Sequence, residues 1–102
     1  MLILGLGTNL GDGLNNLRSA LQLLQKSSTI APLQISPVYT SSALLPAYAP
    51  AAWNRPYLNV ALACETSLSP FETLRQIKQI EKQLGREESQ RWAPRVIDID
   101  IL

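Results

Sequence analysis

The chain contains no histidine and only one cysteine, and these two scarcities exclude several kinds of functional site. Without histidine the usual general base, the usual zinc ligand and any Ser-His-Asp arrangement are absent. Any catalysis must therefore be electrostatic. A single cysteine, Cys64, excludes an internal disulfide and fits a reducing cytoplasm. Its place in an alternating apolar run predicts a buried small hydrophobe and not a nucleophile.

Excess charge and long hydrophobic runs are also missing. Nine basic and eight acidic residues give a formal net charge of +1, which argues against the broad basic field of a nucleic-acid or membrane surface. The apolar start, residues 1–5, has no basic region before it and is too short for a signal peptide or a membrane span. We therefore expect a cytoplasmic protein with small-molecule partners, no nucleic acid and no membrane.

What the chain does have is enough apolar residues, 46% of 102, for one core. One domain over residues 1–102 is the simplest division. The hydrophobic periodicity predicts six elements in the order strand, helix, strand, strand, helix, strand. This order indicates an α+β fold of the ferredoxin-like βαββαβ type, a four-stranded antiparallel sheet with two helices on one face. The first strand and the strand from Tyr57 should be central, with the other face open to ligands.

Start and stop signals place these elements along the chain. Asp12 can cap the first helix, whose apolar stripe is Leu14, Leu17, Leu21 and Leu24. The segment from Ile30 to Tyr39 contains two prolines, which predict an edge strand. Ser69-Pro-Phe-Glu72 predicts the start of the second helix and Gly85 its end. The apolar stripe of this helix is Leu74, Ile77, Ile80 and Leu84.

The last strand, from Val96, carries two carboxylates on one face, because Asp98 and Asp100 are two residues apart. Their Cβ atoms would lie ~7 Å apart, close enough to share one hard cation or a pair, with Mg²⁺ the natural choice. Arg91 and Arg95, just before this strand, suit phosphate oxygens. We predict a metal–polyphosphate site here. The alternative is an edge strand whose charge discourages aggregation.

Two further segments suggest a ligand. On one face of the strand that begins at Tyr57, the Tyr57 ring and the Asn59 amide are followed by small alanines. This arrangement leaves room for a flat heterocycle. The alternative is an aromatic side chain packed on a helix, with Asn59 facing water. Residues 41–56 are rich in Ser, Ala and Pro, and a loop of this length is typical of a lid or binding segment, unless it is a simple insertion.

Glu81 falls inside the apolar stripe of the second helix, where a carboxylate is costly. Either Lys78 or a neighbouring arginine neutralises it, or it exists to meet a ligand. If it serves a ligand, Glu81→Leu should raise thermal stability.

Residues 91–101 fit the pattern R-W-x-P-R-x-I-D-x-D-[IL], which resembles the signature of the 6-hydroxymethyl-7,8-dihydropterin pyrophosphokinase family. Residues 7–12, Gly-Thr-Asn-Leu-Gly-Asp, resemble its opening motif. Tyr57-Leu58-Asn59 and the run from Glu81 to Arg86 resemble two others. The resemblance implies Mg²⁺-dependent transfer of pyrophosphate from ATP to 6-hydroxymethyl-7,8-dihydropterin, with release of AMP, in folate biosynthesis. The competing class is a ferredoxin-like nucleotide- or pterin-binding or interaction module without turnover.

The resemblance also implies roles for individual residues. Arg86 and Arg95 would neutralise charge on the transferring group, and Asp98 and Asp100 would hold Mg²⁺, expected as two ions. Contacts to the nucleotide would come from Glu81, Arg91 and Trp92. Contacts to the pterin would come from Thr8, Ser41, Tyr57, Asn59 and Trp92.

Residues 41–56 correspond to the family's substrate loop but lack its T-x-P-x-G pattern, so single pterin contacts are not carried over from it. Family members continue past the D-x-D strand. We therefore expect a chain truncated at its carboxyl side, or a piece of a longer or multifunctional folate-pathway polypeptide.

Overall fold

The computed structural model describes residues 1–86 and 92–102. Its strands are β1 (Leu2–Thr8), β2 (Ile30–Ile35), β3 (Tyr39–Ser41), β4 (Tyr57–Thr66) and β5 (Asp98–Ile101). Its α-helices are α1 (Gly13–Lys26) and α2 (Pro70–Gln83), and a single 3₁₀ turn spans Ala51–Trp53. None of the helices in these ranges is both long enough and apolar enough to span a membrane.

The strands form one antiparallel sheet in the order β2-β4-β1-β5, with β3 paired to β4 beside β2. The predicted α+β fold of ferredoxin-like order, with the first strand and the Tyr57 strand central, is confirmed. The predicted count of four strands is wrong, because the described residues form five. β2 and β3 share one edge of β4, so five strands occupy four positions.

The extra strand results from a break in the segment predicted as one edge strand. Pro32 lacks an N–H for the ladder, and the pairing register with β4 shifts between Pro32 and Gln34. Beyond β2, the hydroxyl of Ser36 accepts the N–H of Ala61 at 2.8 Å, and the N–H of Ser36 donates to the carbonyl of Ala61 at 2.9 Å. A side chain thus replaces a backbone partner at the break. The chain then resumes pairing as β3.

The core lies between one face of the sheet and the two helices. Alternate residues of the strands point into it, and the helices contribute one stripe each. Its buried members are Leu4, Leu6, Leu17, Ala20, Leu24, Ile30, Val60, Leu62, Cys64, Ile77, Ile80, Ile97 and Ile99. The predicted burial of Cys64 is confirmed.

The predicted helix ends are also confirmed. The side chain of Asp12 accepts the N–H of Asn15, and Ser69 and Glu72 form a reciprocal capping box. Gly85 follows α2 with φ +92°, a conformation that glycine adopts without strain.

The predicted apolar stripes are wrong at one position in each helix. Leu14 is 57% exposed and Leu74 is 45% exposed, whereas Ala20 and Thr73 are buried. The helices are rotated so that these smaller residues face the sheet. The hydroxyl of Thr73 can be buried because it donates to the carbonyl of Ser69 at 2.9 Å.

Candidate active site

The face of the sheet opposite the helices brings together five of the predicted site residues, Ser41, Tyr57, Asn59, Asp98 and Asp100. Gly7 of β1 pairs with Asn59 of β4 on one side and with Asp98 of β5 on the other. Two residues along, Gly5 pairs with Ala61 and Asp100 in the same way. Because side chains alternate along a strand, these three strands present their small and polar residues on one face. We call this surface the open face.

Gly7 allows two larger side chains to lie across β1. A Cβ atom at Gly7 would be 3.2 Å from Oδ1 of Asn59 and 3.4 Å from Cδ1 of Tyr57. The Tyr57 ring and the Asn59 amide therefore occupy the space that a side chain here would need. The small residue is required by close approach and not by backbone conformation.

Asn59 is oriented by β3. Its Nδ2 donates to the hydroxyl of Ser41 at 2.9 Å, with the carbonyl of Tyr39 at 3.4 Å. Ser41 in turn pairs across the sheet with Tyr57. The structure thus brings together three of the residues predicted to contact the pterin.

Asp98 and Asp100 lie together on the open face, as predicted. Partial burial and then the charge of Asp98 raise the pKa of Asp100 above its usual value, with Arg86 acting in the opposite direction. Burial and a neighbouring carboxylate both disfavour the charged form of Asp100, so a bound cation would relieve an unfavourable interaction here. Their oxygens fit Mg²⁺, which is commonly held by one or two carboxylates with waters and phosphates completing its shell. The residues that the structure describes contain no larger acidic cluster that could hold the metal without such additional ligands.

Arg86 joins the acidic strand to α2. Its Nη1 donates to Oδ1 of Asp98 at 3.0 Å and also pairs with Oε2 of Glu81. It therefore lies directly beside the predicted metal ligands, consistent with its expected position near phosphate. These two contacts use both N–H groups of Nη1, so three of the five guanidinium donors remain for a ligand.

Glu81 is 2% exposed, so its carboxylate is buried as its place in the stripe implied. Its Oε2 pairs with Arg86 and accepts the N–H of Ile99 at 2.9 Å, and Nζ of Lys78 lies 3.4 Å from Oε1. The expectation that Lys78 or an arginine neutralises this acid is confirmed. Oε1 accepts no hydrogen bond from within residues 1–86 and 92–102. A nucleotide contact by Glu81 stays a prediction.

The phenol of Tyr57 lies within the electric field of the whole charged group. Burial and then Asp98 raise its pKa, while Arg95 and Arg86 oppose the increase. The carboxylates of β5, and Arg86 and Arg95 among the arginines predicted to bind phosphate, are thus close enough to Tyr57 to influence its pKa. The predicted pterin and phosphate regions are neighbours.

The other predicted residues are placed differently. Arg91 lies outside the described residues. Trp92 is half-buried and has φ +74°, a left-handed conformation that is strained for a bulky residue. Thr8 is 1% exposed and lies on the helix side of β1, because it follows Leu4 and Leu6 in the alternation. Its hydroxyl accepts from Nδ2 of Asn16 at 3.1 Å.

The structure therefore does not place Thr8 with Tyr57 and Asn59, and its contact with the pterin stays a prediction. Residues 41–56 begin in β3, include the 3₁₀ turn and carry exposed Leu44 and Tyr48. Their role as a substrate loop also stays a prediction.

Sequence analysis missed Asn9, the residue directly after β1. It is 8% exposed, and its side chain bonds to the backbone of Arg95 and of Arg55. The sequence marks Asn9 as an amide residue at the end of a buried strand and as part of the motif at residues 7–12, but neither feature indicates which groups it contacts. Its partners are far away along the chain and depend on the topology.

Comparison with known proteins gives consistent results. The family model described as 7,8-dihydro-6-hydroxymethylpterin-pyrophosphokinase matches residues 3–102. The chain is 42% identical over 99 residues to a folate synthesis bifunctional protein of Chlamydia muridarum, covering 97% of this chain and 22% of that protein. It is 38% identical over 99 residues to a 2-amino-4-hydroxy-6-hydroxymethyldihydropteridine pyrophosphokinase of Bacillus subtilis, covering 97% of this chain and 56% of that protein.

A mitochondrial folate synthesis bifunctional protein of Pisum sativum is 40% identical over 101 residues, covering 98% of this chain and 18% of that protein. The chain thus spans about half the length of the Bacillus relative and about a fifth of the two bifunctional ones.

Proposed function

This chain belongs to the 7,8-dihydro-6-hydroxymethylpterin-pyrophosphokinase family, and we propose that it transfers pyrophosphate from ATP to 6-hydroxymethyl-7,8-dihydropterin in folate biosynthesis. The observation that carries the proposal is the convergence on the open face of two carboxylates, a bridging arginine and an aromatic–amide pair. A site for an anionic donor beside a site for a flat acceptor is what such a transfer needs. The names of the bifunctional relatives support a place beside other folate-pathway activities.

The donor side of the site is the acidic end of the sheet. Asp98 and Asp100 would hold Mg²⁺, expected as two ions, and the metal when bound neutralises charge on phosphate oxygens. Nη1 of Arg86 lies 3.0 Å from Oδ1 of Asp98. Phosphate oxygens bound to a metal at the two acids would therefore be within reach of its remaining donors. Arg95 would add a second positive charge. Glu81, Arg91 and Trp92 complete the proposed nucleotide contacts.

The acceptor side is the neighbouring part of the open face. Tyr57 offers a ring, and the amide of Asn59, held by Ser41 at 2.9 Å, offers both a donor and an acceptor to a heterocycle. Trp92 and Thr8 are further proposed contacts.

In the reaction we propose, the alcohol oxygen of the pterin forms a bond to the β-phosphorus of ATP. The bond from that phosphorus to the oxygen bridging it to the α-phosphorus breaks, AMP leaves with the electron pair, and the alcohol proton passes to solvent. The charge that develops on the phosphate oxygens is stabilised by Arg86 and Arg95. Because phosphoryl-type transfer depends on alignment and charge neutralisation, it suits a chain without histidine and needs no covalent intermediate.

The test is release of AMP from ATP and Mg²⁺, measured with and without 6-hydroxymethyl-7,8-dihydropterin. We expect AMP to form only with the pterin present, in equal amount to the pterin diphosphate. Asp98→Asn should reduce the rate by roughly 10²-fold or more, as loss of one preorganised electrostatic group does. The matched control is Asp12→Asn on the helix cap, which should keep the rate.

Calorimetry on the same preparation separates the competing class. A module without turnover would bind nucleotide or pterin and release no AMP. That result would overturn the proposed reaction while leaving the binding site in place.

A further inference from the structure

Asn9 connects three segments of the chain with one buried side chain. Its Oδ1 accepts the N–H of Arg95 at 2.8 Å, and its Nδ2 donates to the carbonyl of Arg55 at 3.1 Å. Its own backbone N–H donates to the carbonyl of Arg95 at 3.0 Å. An amide is the side chain suited to this task, because it offers an acceptor and a donor in one rigid plane.

The two segments that Asn9 holds lead to the two halves of the proposed site. Arg95 lies in residues 92–97, outside helices and strands, three residues before the metal-binding strand β5. Two hydrogen bonds to Asn9 fix its backbone from both sides. Arg55 lies near the end of residues 41–56, two residues before Tyr57 begins β4. The position of each segment therefore depends on the same side chain.

We propose that Asn9 is a positioning residue that sets the phosphate-binding segment and the end of the substrate loop in one fixed arrangement. This inference rests on the proposed function. Asn9 touches neither substrate in it; it acts through the backbones of Arg95 and Arg55. The consequence is catalytic, because a displacement of ~1 Å between reacting groups lowers the rate by about 10²-fold.

Asn9→Asp separates the two connections. The introduced carboxylate keeps an acceptor for the N–H of Arg95, but it places an oxygen where Nδ2 donated to the carbonyl of Arg55. We expect the loop end to be released while the Arg95 segment stays held. The kcat should fall by roughly 10²-fold. The KM for the nucleotide should change by less than about threefold, the pattern of an interaction lost in the transition state alone.

Asn9→Ala removes both connections, so we expect a loss of nucleotide affinity in addition. Asn16→Asp is the matched control. Nδ2 of Asn16 donates to the hydroxyl of Thr8 at 3.1 Å and to the carbonyl of Leu10 at 2.9 Å, in the same turn, without contact to Arg55 or Arg95. It should lower thermal stability to a comparable extent and leave kcat within about threefold of the unchanged chain.

Amide hydrogen exchange tests the arrangement independently of activity. In Asn9→Ala the N–H of Arg95 should lose its protection, whereas in Asn9→Asp it should keep it; Asn16→Asp should leave it unaltered. Unaltered exchange in Asn9→Ala would overturn the inference whatever the chain catalyses. So would a kcat in Asn9→Asp equal to that of Asn16→Asp. An unchanged chain that releases no AMP would instead refute the proposed function, and the exchange result would still decide the role of Asn9.

Discussion

At the scale of single residues, the negative charges of Asp98 and Asp100 on β5 repel each other. Partial burial, and then the charge of Asp98, raise the pKa of Asp100 above its ordinary value of 3.8. A carboxyl with a raised pKa binds its proton more tightly in the folded state than in the unfolded one. The folded state is therefore favoured at low pH, and this contribution is lost as pH rises from 3.8 through the pKa of the folded state.

Asp100→Asn tests this argument, because it removes the charge and keeps the shape. At pH 7 the free energy of unfolding should rise by a few tenths of a kcal/mol, a small amount because the side chain is exposed to solvent. At pH 3, where both forms are uncharged, the difference should vanish. Urea denaturation at the two pH values measures both quantities.

The same variant should lose any increase in Tm that Mg²⁺ produces in the unchanged chain, since one of the two proposed ligands is gone. Asp12→Asn is the control, because Asp12 caps α1 and is not paired with a second carboxylate as Asp100 is. Its free energy of unfolding should not rise at pH 7. Lower stability of Asp100→Asn than of the unchanged chain at pH 7 would contradict the assigned repulsion.

Single residues also show the limits of prediction from sequence. Asp98 and Asp100 share one face of their strand, and so do Tyr57 and Asn59. Both placements follow from the two-residue period of a strand and could be predicted. The resemblance assigns Thr8 to the pterin, but the same alternation places Thr8 on the helix side of β1. The contacts of Asn9 could not be predicted, because its partners are 46 and 86 residues away along the chain.

At the scale of elements, α2 supplies a side chain that completes the outer edge of β5. The N–H of Leu102 donates to the carbonyl of Ile3 in β1. Successive N–H groups along a strand point to opposite sides, so the N–H of Ile99, three residues earlier, points away from β1. Oε2 of Glu81 accepts it at 2.9 Å. Glu81 thus holds the backbone N–H of Ile99, the residue between Asp98 and Asp100. The apolar stripe predicted the burial of this acid, but a backbone partner depends on how α2 lies against β5.

This contact reverses the expectation for Glu81→Leu that followed from a purely ligand-binding role. Leucine fits the stripe, but it leaves the buried N–H of Ile99 without an acceptor, at a cost of about 1–3 kcal/mol, and leaves Arg86 with less compensating charge. We expect Glu81→Leu to lower the free energy of unfolding by about 2 kcal/mol or more. Glu81→Gln keeps an acceptor for Ile99 and should lose roughly half as much.

Guanidinium chloride denaturation of both variants gives the comparison. Lys78→Leu is a matched control on the same helix, since it removes only the exposed member of the ion-pair group and should change stability by less than about 0.5 kcal/mol. A leucine variant more stable than the unchanged chain would show that the hydrogen bond to Ile99 contributes little.

The edge of the sheet shows why element boundaries were harder to predict than element types. Two prolines indicated an edge strand, and an edge strand is present. They did not predict that Ser36 would use its hydroxyl to accept the N–H of Ala61 at 2.8 Å, because such a contact depends on the register with β4. The division into β2 and β3 matters for the site, since β3 carries Ser41.

At the scale of the whole molecule, the sheet separates stability from binding. The face toward the helices contains the core, and the open face contains the two carboxylates of β5 and the three candidate pterin contacts of β3 and β4. Because side chains alternate along a strand, each strand contributes one residue to the core and the next to the open face. The fold could be predicted because this alternation is local. The convergence of β3, β4, β1 and β5 at one place could not, since it requires the strand order.

This separation predicts opposite behaviour for two positions three residues apart on β4. Leu62 is 1% exposed and packs in the core, so Leu62→Ala should lower the free energy of unfolding by about 2–5 kcal/mol, a large share of the ~5–15 kcal/mol of a typical domain. The molecules that remain folded should bind the pterin as before. Asn59→Ala removes an exposed hydrogen bond to Ser41, so stability should change by less than about 0.5 kcal/mol, while pterin affinity falls by roughly 10-fold. Denaturation curves and calorimetry on both variants give the four values. If Asn59→Ala lowered the free energy of unfolding as much as Leu62→Ala, the open face would contribute to stability as the core does. The proposed separation of stability from binding would then be wrong.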